Sequence, residues 1–346
     1  MDISLFDYNL PPELIAQFPS RRRDDSKLMI LDRRGGGPSL FKPFRCITEY
    51  LSSGDAMVVN NTKVFKARLL GRRVTGGRVE IFLVRPVGSE ETIVWEALVY
   101  PSRRVRVGES ILYDSHSILL KRDIGGGRWE VQFQSDSQRR KIISRFGHVP
   151  LPHYIKREDQ PSDIRRYQTV FANKNNVGAV AAPTAGFHFT KPILRTLDEK
   201  GVEIIQTCLH VGPGTFKPIT ADNIDDHIVD PEMASLSSEA AVKINKVRAR
   251  GGSVFAVGTT AVRTLESAPI KDSMVQPFSG MVDLYIKPGY QFKLVDHLIT
   301  NYHLPKSSLL ILVSAFAGRE RILQAYTEAI KQSFRFYSYG DAMLIL

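Results

Sequence analysis

The sequence predicts an α/β main domain that is interrupted by a small inserted antiparallel β-barrel domain. Residues 63–153 contain short β-branched or aromatic runs between glycine-rich turns, a pattern typical of antiparallel strands. On either side of this stretch, apolar strands alternate with longer helical patterns, as in α/β proteins. The strand at 56–59 would have no partner unless residues beyond 155 supply one. We therefore expect one discontinuous catalytic domain from residues 1–62 and 154–346, and an inserted basic domain from residues 63–153.

Four runs in the inserted domain are expected to be strands because they are rich in β-branched and aromatic residues with partial alternation. They are residues 78–84, 92–100, 110–113 and 128–133. Turn residues separate them at 75–77, 86–88 and 125–127. This spacing is typical of a small antiparallel sheet or barrel.

The α/β domain continues after the insertion with alternating strands and helices. We expect strands at 177–182, 202–209, 253–257 and 343–346. We expect helices at 191–200, 238–250, 261–267 and 319–333. Ser237 is the expected N-cap of the second helix, and Gly201 and Gly251 are expected to end the first two.

Positive charge is concentrated in the insertion. The chain has 47 Lys and Arg against 36 Asp and Glu, a net charge of +11. Residues 63–150 hold 17 of the basic and 9 of the acidic residues, so an excess of eight lies in a quarter of the chain. A local basic excess is typical of a polyanion-binding surface. A solvated basic surface that only maintains solubility gives the same composition.

Several protein classes do not fit this sequence. No apolar stretch approaches the roughly 18 residues of a membrane span, and the first residues carry acids where a signal peptide needs bases. Two cysteines, Cys46 and Cys208, are too few for a disulfide framework or a cysteine zinc site. We expect a cytoplasmic protein without a membrane partner.

Three histidines interrupt apolar runs among turn residues: His188, His210 and His303. Glycine and proline fix unusual backbone paths and let a ligand approach closely, and histidine can exchange a proton near neutral pH. The repetition suggests loops that converge on one reactive site. The alternative for each is a core histidine bonded to a backbone carbonyl.

Two glycine segments could hold a ligand. Gly258-Thr259-Thr260 follows a strand and opens a helix, so its free N–H groups could bind an anion, with Arg263 one turn further on. An ordinary helix cap with Arg263 in a structural ion pair is the alternative. The loop at 210–217 exposes backbone around Gly212 and Gly214, but it has neither a Walker spacing nor a dinucleotide fingerprint.

A metal site is not expected. The sequence lacks histidine pairs at metal-binding spacing, and His227 alone has acids close by, at Asp226 and Glu232. We expect these side chains to orient a ligand or one another.

Long motifs identify a resemblance that runs from end to end of the chain. They are residues 6–16, 54–64, 75–80, 167–172, 181–190, 209–218, 256–266, 301–307 and 339–343. Together they resemble the S-adenosylmethionine:tRNA ribosyltransferase-isomerase family of queuosine biosynthesis.

The resemblance implies an RNA-modifying transferase. The ribosyl part of S-adenosylmethionine would be transferred to 7-aminomethyl-7-deazaguanine at the wobble position of tRNA with a GUN anticodon, giving epoxyqueuosine and releasing adenine and methionine. S-adenosylmethionine would be consumed as a co-substrate, so no separate cofactor is expected. A sulfonium acidifies the adjacent C5′–H of the ribose, which a neutral histidine could abstract. We expect a monomer.

The residue roles follow as hypotheses. His188 or His210 would be the general base, and His303 a second acid/base or an adenine contact. Expected substrate-binding residues are Thr184, Gly186, Gly212, Gly214, Thr215, Lys217, Gly258, Thr259, Thr260, Arg263 and Asn301. Expected tRNA-binding residues are Arg72, Arg73, Arg103, Arg104 and Arg106.

The chain departs from the family pattern at a few positions. Asn61 stands where the resemblance leads us to expect aspartate, and Asp230 where it leads us to expect a second histidine after His227. Lysine replaces arginine at Lys27 and Lys63, which keeps the charge but loses bidentate bonding.

Overall fold

The computed structural model describes residues 1–33, 35, 39–88, 93–216 and 218–346. In chain order, the strands are Lys27–Leu31 (β1), Leu40–Pro43 (β2), Ala56–Asn60 (β3), Lys63–Val64 (β4), Arg68–Arg73 (β5), Arg78–Pro86 (β6), Val94–Tyr100 (β7), Ser110–Tyr113 (β8), His116–Gly125 (β9), Arg128–Gln132 (β10), Gly147–His148 (β11), Val177–Ala179 (β12), Glu203–Leu209 (β13), Glu232–Leu236 (β14), Val254–Val257 (β15), Ile270–Lys271 (β16), Met274–Val275 (β17), Phe278–Val282 (β18), His297–Asn301 (β19) and Ala342–Ile345 (β20). The α-helices are Asp136–Phe146 (α1), Asp163–Arg166 (α2), Lys191–Glu199 (α3), Ser238–Ala249 (α4), Thr259–Ser267 (α5), Ser308–Ala317 (α6) and Arg319–Lys331 (α7).

A large mixed sheet forms the centre of the α/β domain. Its strand order is β18-β14-β13-β3-β15-β19-β20-β1-β2. Strand β3 pairs in parallel with β13 on one side and β15 on the other. Both partners follow the insertion in sequence, which confirms the expectation for the strand at 56–59.

Apolar layers cover both faces of this sheet. Alternate residues of β3 enter different layers: Val58 packs in the layer that contains α4 to α7, and Met57 packs in the layer that contains α3. Strands buried on both faces read as continuous apolar runs, as β3 does. The sheet therefore has two covered faces and leaves its strand ends available for a site.

The insertion forms a closed antiparallel barrel, so the expected fold class is confirmed. Among the described residues, six strands close in the order β5-β6-β7-β10-β9-β8 through pairing of β8 with β5. Trp129 is 2% exposed and lies in the barrel core with Ile81 and Val131. The exact boundary residues of the two domains stay a prediction.

Some barrel elements are absent from the sequence prediction. Strands β5 and β9 carry several charged residues, and their apolar alternation is weak. Helix α1 begins after Ser135, whose hydroxyl accepts from the Gln138 N–H at 3.1 Å. Ser135 is a good N-cap that the barrel pattern around it obscured.

Two predicted elements of the α/β domain differ in detail, and a third element was not predicted. The strand predicted at 177–182 is short and ends at Ala179, because the chain then turns into the loop that carries Thr184. Helix α5 begins two residues earlier than predicted, and its N-cap is Gly258, not a threonine. The apolar run after residue 308 is helix α6, capped by Ser307.

Candidate functional site

A cleft opens where parallel strands β15 and β19 end. Its cavity volume is about 60 Å³. The lining residues are Tyr154, Ala182, Pro183, Thr184, Ala185, Val211, Gly258, Thr259, Thr260, Thr300, Asn301, Tyr302, His303, Leu304, Ser307, Leu309, Tyr337 and Ser338. The carboxyl end of a parallel sheet is the usual ligand position in α/β proteins.

The start of α5 forms one wall of the cleft. Gly258 has a φ of 88°, a conformation that favours glycine, and its N–H donates to the Ile299 carbonyl at 2.7 Å. No side chain caps this helix, so the N–H groups of its first turn face the cleft without a side-chain acceptor. The buried Thr260 hydroxyl has no hydrogen-bond partner among the described residues. This wall suits a carboxylate or a phosphate.

His303 forms the wall beside this helix start. Its ring Nε2 lies 2.7 Å from the Thr300 hydroxyl, which in turn lies 3.3 Å from the Asn301 carbonyl. If that hydroxyl donates to the carbonyl, Nε2–H is the donor to the hydroxyl and Nδ1 is unprotonated. Among the described residues, Thr300 is the one hydrogen-bond partner of the His303 ring. Tyr326 accepts from the His303 backbone N–H at 2.9 Å. Burial lowers the pKa of His303 to about 3, so the ring is neutral at neutral pH.

His188 lies behind the cleft wall. Its Nδ1 is 2.7 Å from the Ser26 hydroxyl, and its Nε2 accepts from the Asn301 amide at 3.2 Å. The ring packs against Phe44 with the centroids 4.9 Å apart. Burial lowers its pKa to about 3. Both ring nitrogens are therefore occupied, and His188 reaches the cleft through Asn301.

The Asn301 side chain joins the two sides of the wall. Its carbonyl oxygen accepts from the Thr184 hydroxyl at 3.1 Å, and its amide nitrogen donates to His188 and to the Tyr337 carbonyl, each at 3.2 Å. These bonds fix the orientation of the amide. Thr184 and Asn301 thus lie together in the cleft, as the sequence suggested.

His210 takes a third position. Its Nδ1 is 2.7 Å from the Thr62 hydroxyl, and Cys208 sulfur is 3.9 Å from both ring nitrogens. The adjacent Val211 forms the cleft wall at this point. Gly178 leaves room for the His210 ring, because a Cβ there would lie 2.9 Å from it. The three histidine loops converge, but only the His303 ring lines the cleft.

Arg263 holds a structural position instead of lining the cleft. Its guanidinium forms a buried ion pair with Glu232 and donates to two backbone carbonyls of the 282–284 segment. Glu232 also accepts from the Gly212 N–H at 2.7 Å. Burial raises the pKa of Glu232. The pair therefore fixes the loop after β13, which agrees with the structural alternative for Arg263.

Among the other predicted binding residues, two glycines lie close to neighbouring side chains, and two residues fall outside the described part of the structure. Gly186 is a packing glycine, since a Cβ would lie 2.7 Å from the Thr169 methyl. Gly214 lies against Asp230, whose Oδ2 would be 2.9 Å from a Cβ there. Lys217 and the side chain of Thr215 lie outside the described part of the structure.

Two of the departures from the family pattern, Asp230 and Asn61, each have a partner in this chain. Asp230 binds Arg128 of the barrel, with the guanidinium nitrogen 2.6 Å from Oδ2, and thus links the two domains. Asn61 donates to the Gln206 side chain at 3.0 Å and accepts from the Asn176 amide at 2.7 Å. An aspartate could not donate to Gln206.

The five predicted tRNA-binding arginines of the barrel differ in exposure and in ion pairing. Arg73 is paired with Glu109, with Nε 2.6 Å from Oε1. Arg103 and Arg104 lie in an exposed 3-10 turn after β7 and form no ion pair with any described residue. Arg72 and Arg106 are also exposed.

Sequence reasoning missed the aromatic side of the cleft. Tyr154 and Tyr337 line it, with ring centroids 4.7 Å apart, and the Tyr154 hydroxyl bonds to Ser338 at 2.7 Å. Ser338 directly precedes the 339–343 motif, which is the signal that could have placed it. Tyr154 is a lone tyrosine and carries no such signal.

The described residues offer neither a metal-binding cluster nor a membrane-spanning helix. The described residues contain no group of three or more His, Cys, Asp or Glu side chains that could hold a metal ion. Within the same ranges, no helix has both the length and the apolar composition to cross a membrane.

Comparisons with known proteins agree with the geometry. The family model described as "Queuosine biosynthesis protein" matches residues 3–345. The S-adenosylmethionine:tRNA ribosyltransferase-isomerases of Trichlorobacter lovleyi and Aquifex aeolicus are each 46% identical to this chain over 347 residues, with all of both chains covered.

A solved structure is also similar. The crystal structure of S-adenosylmethionine tRNA ribosyltransferase from Thermotoga maritima is 36% identical, with a TM-score of 0.56, over 99% of this chain and 100% of that one. Because the family model matches almost the whole chain and the relatives match over their full length, the chain belongs to the queuosine biosynthesis protein family.

Proposed function

We propose that this protein transfers and isomerises the ribosyl moiety of S-adenosylmethionine onto 7-aminomethyl-7-deazaguanine at the wobble position of tRNA. The products are epoxyqueuosine in the tRNA, adenine and methionine. Full-length relatives named for this activity support the proposal. The observation that carries it is the cleft, in which an uncapped helix start and a neutral imidazole lie side by side.

The helix start is the proposed seat of the methionine carboxylate. Thr259 and Thr260 offer backbone N–H groups and the positive end of the α5 dipole. A carboxylate bound there places the adjacent sulfonium within the same cleft. It also adds a negative charge near His303, which would offset part of the cost of protonating a buried ring.

His303 is the proposed general base, in place of His188. Its unprotonated Nδ1 would take the C5′ proton that the sulfonium acidifies, and methionine would later leave as a neutral thioether with the electron pair of the C–S bond. His188 would act as a positioning residue, because its ring holds the Asn301 amide. His210 stays the alternative base, with Thr62 as its hydrogen-bond partner.

The proposal includes the partners that the resemblance implies. The acceptor is tRNA with a GUN anticodon, S-adenosylmethionine is consumed, and no separate cofactor takes part. The basic excess of the barrel region supports an RNA partner. We also propose that the protein acts as a monomer in the cytoplasm.

The direct test is isotope transfer. The protein is incubated with tRNA that carries the deazaguanine precursor and with S-adenosylmethionine labelled either in the ribose or in the methyl group. Ribose label in the tRNA, together with free adenine, is the expected result. Methyl label in the tRNA, or no label from either substrate, would contradict the proposal.

A further inference from the structure

A second and larger groove lies between the barrel and the α/β domain. Its volume is about 900 Å³. One wall consists of barrel residues at the end of β7 and in the β9–β10 turn, and the other is the 150–158 segment that returns from the barrel. The site described above does not use this groove.

An exposed aromatic ring stands in the groove. Tyr100, the last residue of β7, is 75% exposed. Phe82 and Leu98 line the groove beside it. A tyrosine ring that is open to solvent beside apolar side chains is a stacking platform for a nucleobase, because every base has a π face.

The charges around the groove favour a polyanion. Lys156 lines it and is exposed, and Arg103 and Arg104 follow the lining residue Ser102; none of the three forms an ion pair with a described residue. Two further lining arginines are already neutralised: Arg68 by Glu80 and Arg157 by Asp163. Glu158 is the exposed acid of the lining. The unpaired charge is therefore mainly positive.

The groove and the cleft are lined by neighbouring residues of the same two chain segments. Tyr154 lines the cleft, while its neighbours His153 and Ile155 line the groove. On the other side, Val211 lines the cleft and Pro213 lines the groove. A strand of RNA in the groove would lie within one or two residues of the cleft wall.

We propose that this groove binds the single-stranded anticodon loop of tRNA. Tyr100 stacks on a base next to the modified one, and Lys156, Arg103 and Arg104 contact phosphates. The inference rests on the proposed function for the identity of the RNA. An apolar protein partner would need the exposed ring but not the unpaired cations around it.

The test measures RNA binding apart from turnover. A fluorescent anticodon stem-loop that carries the deazaguanine precursor is titrated with wild-type protein, Tyr100→Ala and Tyr100→Phe. Loss of one stacked base should weaken the affinity of Tyr100→Ala about tenfold, and Tyr100→Phe should bind like wild type. S-adenosylmethionine binding should be unchanged in both variants, since Tyr100 lies outside the cleft lining.

The salt dependence tests the charges separately. Replacing both Arg103 and Arg104 by alanine should reduce the slope of log affinity against log salt by about 1.4, for two single-strand phosphates. Lys121→Ala, an exposed basic residue on β9, is the matched control and should leave the slope unchanged.

The outcomes separate this inference from the proposed function. Wild-type affinity in Tyr100→Ala would overturn the groove assignment, even if wild-type protein transfers ribose label to tRNA. Weakened binding in Tyr100→Ala with no label transfer by wild-type protein would support the groove and overturn the proposed function. Wild-type protein that does not bind the stem-loop would overturn the groove assignment, whereas label transfer to tRNA decides the proposed function.

Discussion

The regions around His188 and His303 look alike by burial and by charge but differ in hydrogen bonding. Both rings are buried, and burial lowers the pKa of each to about 3. Both ring nitrogens of His188 form hydrogen bonds, one with Ser26 and one with Asn301. In His303, one ring nitrogen bonds to Thr300, and the ring lines the cleft. A shifted pKa therefore does not separate a structural histidine from a reactive one. A ring nitrogen without a partner beside a cleft does.

The strongest test of this difference is to replace each histidine by glutamine and to compare the two variants. His303→Gln should lower the single-turnover rate of ribosyl transfer about 10³-fold, as expected for the loss of a general base. His188→Gln should cause a much smaller loss, because it disturbs Asn301 without removing the proton acceptor. Equal losses in the two variants, or a larger loss in His188→Gln, would reverse the assignment. S-adenosylmethionine affinity, measured by calorimetry, serves as the control for folding of the cleft.

The Arg263–Glu232 pair belongs with His188 on the structural side. Glu232→Gln leaves the buried Arg263 without its counter-charge, so the free energy of unfolding in urea should fall by about 3 kcal/mol. Glu203→Gln is the control, since it removes an exposed ion pair with Arg250 and should change stability by less than about 1 kcal/mol. A fully folded Glu232→Gln protein with unchanged stability and an abolished transfer rate would instead place Glu232 in the chemistry.

The smallest effect tests what the two regions share. A folded pKa of about 3 lies below the unfolded value of about 6.5, so the unfolded chain binds more protons as the pH falls below 6.5. Each buried histidine should therefore reduce the free energy of unfolding by about 2 kcal/mol between pH 7 and pH 5. His188→Gln should remove that part of the pH dependence. An unchanged slope would mean that His188 takes up its proton at the same pH in the folded and the unfolded protein.

The order of the elements could be predicted from local patterns. Ser237 caps the start of α4, and Gly201 and Gly251 directly follow the C-cap residues of α3 and α4, as expected from the sequence. Because no other strand lies close to β3 in the N-terminal segment, its pairing with strands beyond the insertion could be predicted. The charged strands β5 and β9 were missed because their pairing, not their composition, makes them strands.

The directions of the histidine rings could not be predicted. His210 and Val211 follow β13 directly, and it is Val211 that lines the cleft, so a shift of one residue decides which side chain does. His188 lies in a 3-10 turn, where no strand or helix period sets its direction. Arg263 forms an ion pair with Glu232, which lies on a strand 31 residues earlier in the chain. The sequence spacing of the two residues does not predict this contact.

The groove shows the same limit for the barrel. The excess of basic residues indicated an RNA-binding surface on the barrel. One of the arginines predicted to bind tRNA, Arg73, is instead paired with Glu109. Tyr100 was assigned only as the end of a strand, because its exposure depends on where the 150–158 segment passes.

The inserted barrel has a consequence for how the chain folds. Strand β3 leaves the ribosome before the barrel, and its neighbours β13 and β15 leave after it. The barrel strands are close in sequence, so the barrel can close first. Pairing of β11 with β5 then holds the two ends of the insertion together. The main sheet therefore closes a much shorter effective loop, and its entropy cost falls accordingly.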